Sequence, residues 1–243
     1  MTDFYREDVA YIHDVGHADF ALRSAPGILE ILRENGVTEG LVVDLGCGSG
    51  QWARELLWAG YRVLGIDISE AMIGLAREKA PGAEFRVGSL FEAEIPPCDA
   101  VTSISEVLNY LFDPENEGRG LERVFGRVYG ALRPGGVFVF DVLGPGQVPP
   151  GTRARGFSVG EDWAVLNEKE EDRERGTMER RIVSFRKVGE HYRRDEEVHR
   201  VRLYDSEEVE AKLEEAGFEV TTMGGYGDYP FGENHAAFVG RRL

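Results

Sequence analysis

Residues 41–50 read LVVDLGCGSG, and the rest of the chain is organised around them. Leu41, Val42, Val43 and Leu45 form a short, nearly continuous apolar run, the pattern of a strand buried on both faces of a parallel sheet. Three glycines follow at alternate positions: Gly46, Gly48 and Gly50. Glycines there let the backbone turn tightly and let a ligand approach main-chain atoms. From Trp52 to Trp58 the apolar residues recur at helical spacing, and Gly60 ends the run. The stretch is therefore strand, glycine-rich bend and helix. In open α/β sheets, ligands bind at the carboxyl ends of such strands.

The same alternation extends in both directions. Residues 5–35 read as helical, with Leu22, Ile28, Leu29, Ile31 and Leu32 as apolar faces, Pro26 in a first helical turn and Gly36 as the stop. Further strands are expected over 62–68, 84–88, 99–104 and 137–142. Between them lie helices over 70–79, capped by Ser69, and over 121–132, stopped by Pro134-Gly135-Gly136. The pattern predicts an α/β fold, a Rossmann-like, seven-stranded, mostly parallel sheet with helices on both faces.

It breaks at Gly144-Pro145-Gly146 and Pro149-Pro150. Three strand-like stretches follow, 163–168, 177–187 and 191–204, with a hairpin turn at Gly189-Glu190. The charge run 168–175 reads as a solvated edge or loop. A helix opened by Ser206 and closed by Gly217, then strands over 218–222 and 236–239, resume the α/β pattern. The expected organisation is one domain from 1–150 and 203–243, with 151–202 as an antiparallel cap inserted after the fifth strand.

Composition narrows the function classes. Lys and Arg total 28 against 44 Asp and Glu, a net charge of −16. Such a charge repels a phosphate backbone and an anionic bilayer, which argues against nucleic acid or a membrane as partner. Cys47 and Cys98 are too few for a disulfide framework or a zinc site, and no metal is expected. The beginning MTDFYREDVAY is polar and no secretory signal, and no apolar run has the length of a membrane span. A cytoplasmic location is expected.

The bend itself discriminates between ligands. A dinucleotide fold places a third glycine where this chain has Gln51. Asp44, two places before Gly46, would repel a pyrophosphate and attract an ammonium group. That favours a ligand with an ammonium and no phosphate, such as S-adenosylmethionine (SAM). Asp67, at the end of the second strand, is placed to accept both hydroxyls of a ribose.

Asp44 to Gly50, followed by Gly65-Ile66-Asp67-Ile68-Ser69 with Met72 and Ala76-Arg77, resembles the class I SAM-dependent methyltransferases. The resemblance covers most of 41–141 and returns in the last two strands. It implies that Gly46, Cys47, Gly48 and Gly50 wrap the methionine part of SAM beside Asp44 and Trp52. It also implies that Asp67 holds the ribose, and that Ile68 and Met72 pack on the adenine. Many members carry an Asp after the third strand; here Gly88-Ser89-Leu90 stands in that place, leaving Ser89 or a main-chain group for the adenine edge. The segment Ser105-Glu106-Val107-Leu108-Asn109-Tyr110 resembles the one facing sulfonium and substrate, with Ser105 and Asn109 toward the cofactor.

Methyl transfer from a sulfonium needs alignment and exclusion of water more than it needs a catalytic triad. Glu106 and His17 are the candidate catalytic groups, and Tyr11 and Phe20 candidate lid residues over the cofactor. Tyr110, Tyr192, Arg200 and Tyr204 are candidate substrate contacts, with His199, Tyr229 and His235 as weaker ones. The expected activity is methylation of a small molecule at N or O, yielding S-adenosylhomocysteine. A non-catalytic SAM-binding protein and an NAD-type oxidoreductase are the alternatives.

Overall fold

The computed structural model describes residues 4–111, 113, 116 and 120–243. Two helices, α1 (Glu7–Gly16) and α2 (Asp19–Glu34), precede β1 (Leu41–Leu45), α3 (Gln51–Trp58), β2 (Arg62–Asp67), α4 (Glu70–Lys79), β3 (Glu84–Val87) and β4 (Cys98–Ser103). A short 3₁₀ turn (Val107–Asn109), α5 (Gly120–Ala131) and β5 (Leu132–Leu143) complete the first pass. After a four-stranded segment, α6 (Ser206–Glu215), β10 (Phe218–Met223) and β13 (His235–Arg242) rejoin the main sheet. Its order is β10-β13-β5-β4-β1-β2-β3. β3, β2, β1, β4 and β5 run parallel, while β13 is antiparallel to both β5 and β10.

Successive residues of β1 serve opposite faces. Val42 joins Ile28, Leu32, Trp52, Leu56 and Ile73 on one side. Val43 and Leu45 join Leu64, Ile66, Phe125, Phe138 and Phe140 on the other. Full burial of each large apolar side chain stabilises by roughly 1.5–3 kcal/mol, so this doubly covered sheet is the rigid platform.

The expected N-terminal helix is divided. α1 ends at Gly16, His17 leaves helical geometry (φ −133°, ψ 22°), and α2 begins at Asp19. Pro26 is not in a first turn but inside α2. A proline there removes a bond to the carbonyl four residues back. That residue, Leu22, is exposed, so water can reach the freed group. Ser69 does cap α4, its hydroxyl accepting from the Met72 N–H. α6 opens at Ser206 as expected, and Asp205 caps it, its side chain accepting from the Glu207 and Glu208 N–H groups.

The second sheet has four strands, not three: β6 (Ala154–Val159), β7 (Trp163–Asp172), β8 (Thr177–Val188) and β9 (His191–Arg202), paired antiparallel in that order. β6 carries no buried residue and leaves Phe157 and Val159 exposed, so it lacks the one-sided burial that marks a strand in sequence. Gly189-Glu190 forms the two-residue turn between Val188 and His191, with Gly189 at φ 62°. Two small apolar clusters anchor this sheet. Met178 and Val201 pack with Leu143, Val148 and Leu203, while Trp163 and Val165 pack with Ile12 of α1. Between the two clusters the sheet turns Asn167, Lys169 and Arg180 toward α1 among apolar side chains. β11 (Gly225–Tyr226) and β12 (Tyr229–Pro230) form a short separate hairpin.

Candidate active site

The bend after β1 is fixed by its own backbone. The Gly46 and Cys47 N–H groups donate to the Ile66 carbonyl at 2.7 and 3.1 Å. Gly46, Gly48 and Gly50 all have positive φ, at 74°, 52° and 78°. A Cβ on Gly46 would stand 2.3 Å from Val107 Cγ1, so the bend and the 3₁₀ turn touch only because no side chain intervenes. At Gly48 a Cβ would meet nothing within 4 Å, because that residue opens into a cavity.

The cavity, about 720 Å³ including its mouth, runs along the ends of β1, β2 and β4. Gly46, Gly48, Asp67, Ile68, Met72, Leu90, Ser105 and Tyr110 line it. Asp67 accepts from the Gly48 N–H through Oδ2 at 2.9 Å and from the Ser69 N–H through Oδ1 at 2.8 Å. Each oxygen keeps a second lone pair for a hydroxyl donor. Burial pushes the Asp67 carboxyl above its ordinary value, and those amides work the other way. Asp44 is buried behind the bend, outside the lining; burial and the Asp67 charge push it up to about 7, against the Thr102 hydrogen bond. The Thr102 hydroxyl donates to Asp44 Oδ1 at 2.7 Å and accepts from Trp52 Nε1 at 3.1 Å. Trp52 thus orients Asp44 from inside the core. Cys47 is buried too and does not line the cavity.

After β4 the chain is strained. Ser105 and Glu106 are not glycine, yet both have positive φ, 71° and 56°. Such residues cost on the order of 1–3 kcal/mol each and persist only where neighbours hold them. Asp141 of β5 does so, accepting from the Ser105 N–H at 2.8 Å and the Glu106 N–H at 2.7 Å. Tyr226 and His235 hold Asp141 in turn, at 3.1 and 2.7 Å. The strained pair presents Ser105 to the cavity and aims Glu106 beyond it, where the Arg180 guanidinium grips both carboxylate oxygens at 2.8 and 2.5 Å.

Beyond Ser105 lies the space under the second sheet. One part is bounded by Tyr5, His13, His17, Asn167, Lys169, Arg180 and apolar side chains. A contiguous part is bounded by Phe20, Ser105, Glu106, Lys169, Arg180, Tyr229, Phe231 and His235. Tyr5 and His13 line both this chamber and the cavity. His13 is a functional candidate that sequence reading missed. Its Nδ1 is shut off from solvent with no hydrogen-bond partner, and burial, helped by His17, pushes the ring down to about 4. Burial likewise raises the Tyr5 and Tyr110 phenols, whose hydroxyls lie 2.9 Å apart. An i, i+4 pair of His13 and His17 on α1 was the available signal; only the fold shows which member faces inward.

Several expected positions are corrected. Tyr11 is not over the cofactor cavity: its hydroxyl donates to Asp162 and its ring lies under Arg186. Phe20 stacks with Phe231 and His235 on the chamber side. His17 is exposed at the end of α1, with its ring near Trp163. Ser89 caps its own loop, accepting from the Phe91 N–H, and Gly88 and Leu90 line the cavity instead. Asn109 is buried and fully engaged, tying the 3₁₀ turn to Leu143 and Arg202. Tyr192 is 60% exposed at the far end of the second sheet. Arg200 points outward to Glu179. Tyr204 is buried in the main core, with burial raising its phenol to about 12. His199 is buried against Glu197 at 2.7 Å, with its ring between Tyr5 and Tyr110.

Among the described residues no cluster of His, Cys, Asp or Glu could hold a metal ion, and no helix is long and apolar enough to cross a membrane. The Methyltransferase domain family matches residues 42–136. GWCH70_2453 of Geobacillus sp. (strain WCH70), provisionally named a methyltransferase, is 29% identical over 190 residues, 74% of each chain. A SAM-dependent methyltransferase from Clostridium acetobutylicum superposes with a TM-score of 0.81 at 20% identity, covering 98% of both chains. The sugar N-methyltransferase KedS8 from Streptoalloteichus sp. superposes with a TM-score of 0.75 at 21% identity, covering 96% of this chain and 90% of its own. The glycine bend lacks the third glycine of a dinucleotide site, and the domain match spans that bend and the parallel strands from β1 to the start of β5. Residues 42–136 are a methyltransferase domain, and the chain is a SAM-dependent methyltransferase.

Proposed function

We propose that this methyltransferase acts on the nitrogen of a small polar amine held in the chamber under the second sheet. The observation that carries the reading is the chamber itself: it adjoins the cofactor cavity, sharing Tyr5, His13 and Ser105 with it, and is walled by β7 and β8. The residues present fit SAM. Gly46 and Gly48 leave main-chain room for the methionine part, and Asp67 for the ribose. Ile68, Met72, Leu90 and Phe91 offer an apolar slot to the adenine. Bound there, the cofactor supplies a methyl group on a sulfonium sulfur.

The chain's own groups favour nitrogen over oxygen. An imidazole pushed down to about 4 is neutral at physiological pH but a weak base. It accepts a hydrogen bond and orients an amine lone pair; it is poorly suited to stripping a hydroxyl. The Tyr5 and Tyr110 phenols, raised by burial, are donors rather than bases. The second sheet, 151–202, acts as the cap that excludes water. A sugar N-methyltransferase among the structural neighbours is in keeping with this reading.

The test is transfer of an isotopically labelled methyl group from SAM to matched panels of small amines and alcohols, read by mass spectrometry. Labelling of amines with His13-dependent turnover is expected. Labelling confined to alcohols would overturn the nitrogen assignment.

A further inference from the structure

We infer that the acceptor carries an anionic group, a carboxylate or a phosphate, which docks on Lys169, Arg180 and Asn167 on the inner face of the second sheet. The inference rests on the chamber reading above and adds the charge of the substrate. Asn167, Lys169 and Glu171 share one face of β7, and Arg180 stands across on β8, where Lys169 and Arg180 are direct cross-strand partners. Two cations side by side repel, and such a pairing costs stability unless something offsets it. Burial and the Arg180 charge both push the Lys169 ammonium down from its ordinary value.

The carboxylates nearby are already committed. Glu106 is gripped by Arg180 through both oxygens. Glu171 accepts from the Gly146 and Val148 N–H groups at 2.9 and 3.0 Å. No described residue forms an ion pair with Lys169 or accepts from the Asn167 amide. The Arg180 Nε–H is buried with no acceptor as well. Buried donors are normally satisfied, and one left open inside a chamber marks where a ligand brings the acceptor. Three donors, two of them cationic, line the same space against a single carboxylate. They leave the chamber one positive charge in excess within a chain of net charge −16.

The surplus is placed to select an acid. A neutral amine of the same size leaves these donors without the acceptor an anion brings, a loss that discriminates against it. An amine that also bears a carboxylate or phosphate satisfies them and is oriented by them, with its nitrogen toward His13 and Ser105.

The experiment uses the full chain saturated with S-adenosylhomocysteine and titrates succinate, inorganic phosphate and pyrophosphate by calorimetry. At least one anion is expected to bind, at least tenfold weaker to Lys169→Gln and near normally to Lys169→Arg. S-adenosylhomocysteine affinity in each variant reports that the fold is intact. Succinate as the tighter ligand assigns a carboxylate; phosphate or pyrophosphate assigns a phosphate. Absence of binding by all three, or equal binding to Lys169→Gln, overturns the inference. A kinetic arm separates it from the nitrogen assignment. Amines with an anionic group should show a KM at least tenfold below neutral analogues, and Lys169→Gln should remove that gap chiefly through KM. Equal KM for neutral and anionic amines would leave N-methylation standing and refute anion docking. Anion binding with methylation of alcohols alone would do the reverse.

Discussion

The cofactor cavity and the acceptor chamber meet at Ser105 and are built on opposite principles. The cavity is made of backbone: three left-handed glycines, amides on Asp67 and a bend closed by the Ile66 carbonyl. Apart from Tyr5, His13 and Asp113 at its rim, its parts lie within 46–110, at the ends of parallel strands whose pairing fixes their positions. The chamber is made of side chains from distant segments: His13 from α1, Glu106 after β4, Lys169 and Arg180 from the second sheet, and His235 from β13. A cavity of the first kind binds one invariant ligand. A chamber of the second kind changes its ligand when a few side chains change, so the shared cofactor and the private acceptor are held by different means.

The sharpest way to break that contrast is through Arg180. Arg180→Met leaves the Glu106 carboxylate half-buried without its partner, and removing one member of such a pair costs about 3 kcal/mol. Chemical denaturation should show that loss, and turnover should fall with it. S-adenosylhomocysteine affinity of the folded fraction should stay within about threefold, because Arg180 does not line the cofactor cavity and reaches it only through the Tyr110 hydroxyl at 3.3 Å. The double variant Glu106→Gln/Arg180→Met should recover much of the stability. A comparable drop in cofactor affinity would mean that the two regions are one energetic unit.

The contrast also decides what was legible in the sequence. Strand β1, the bend, Asp67 and the Ser69 cap are contiguous patterns whose meaning depends on neighbours in sequence, and they stand where expected. Strand β6 was missed because none of its residues is buried, and the break at His17 because apolar spacing continues across it. Among site residues, Arg200 and Tyr192 lie on a strand whose facing the sequence does not fix without its register. Arg180 lies opposite His199 and beside Lys169, a partnership set by two antiparallel pairings. Asn109 and Tyr204 have the polar chemistry of site residues but spend it on the fold. The sequence does not separate His13 from His17, four residues on, because that needs the direction of α1 relative to a sheet over a hundred residues away.

A smaller effect tests the backbone-built side. Asp67→Ala should weaken S-adenosylhomocysteine binding by about 1–3 kcal/mol through unpaired ribose hydroxyls and loss of the Gly48 contact. Isothermal titration measures it directly, and Asp67→Asn, which keeps the shape, isolates the charge. Unchanged affinity in both would remove Asp67 from the cofactor site.

The smallest expected effect is a slope with pH, and it probes the one place where the cavity depends on a core side chain. Asp44 is pushed from an ordinary value of 3.8 up to about 7, with burial as the leading cause. In the ligand-free protein the folded chain therefore holds a proton that the unfolded chain releases between those values. The Asp44 contribution to stability thus falls as pH climbs through that window. An incoming ammonium favours the ionised carboxylate, so binding below about pH 7 expels the proton. Affinity for S-adenosylhomocysteine should then rise with pH by up to about tenfold between pH 6 and 7 and level off above 7. Calorimetry in buffers of different ionisation enthalpy should count the released proton. Asp44→Asn should flatten the slope while Thr102 and Trp52 still hold the side chain in place. A slope that survives in Asp44→Asn would move the titrating group elsewhere and leave the ammonium without its buried counter-charge.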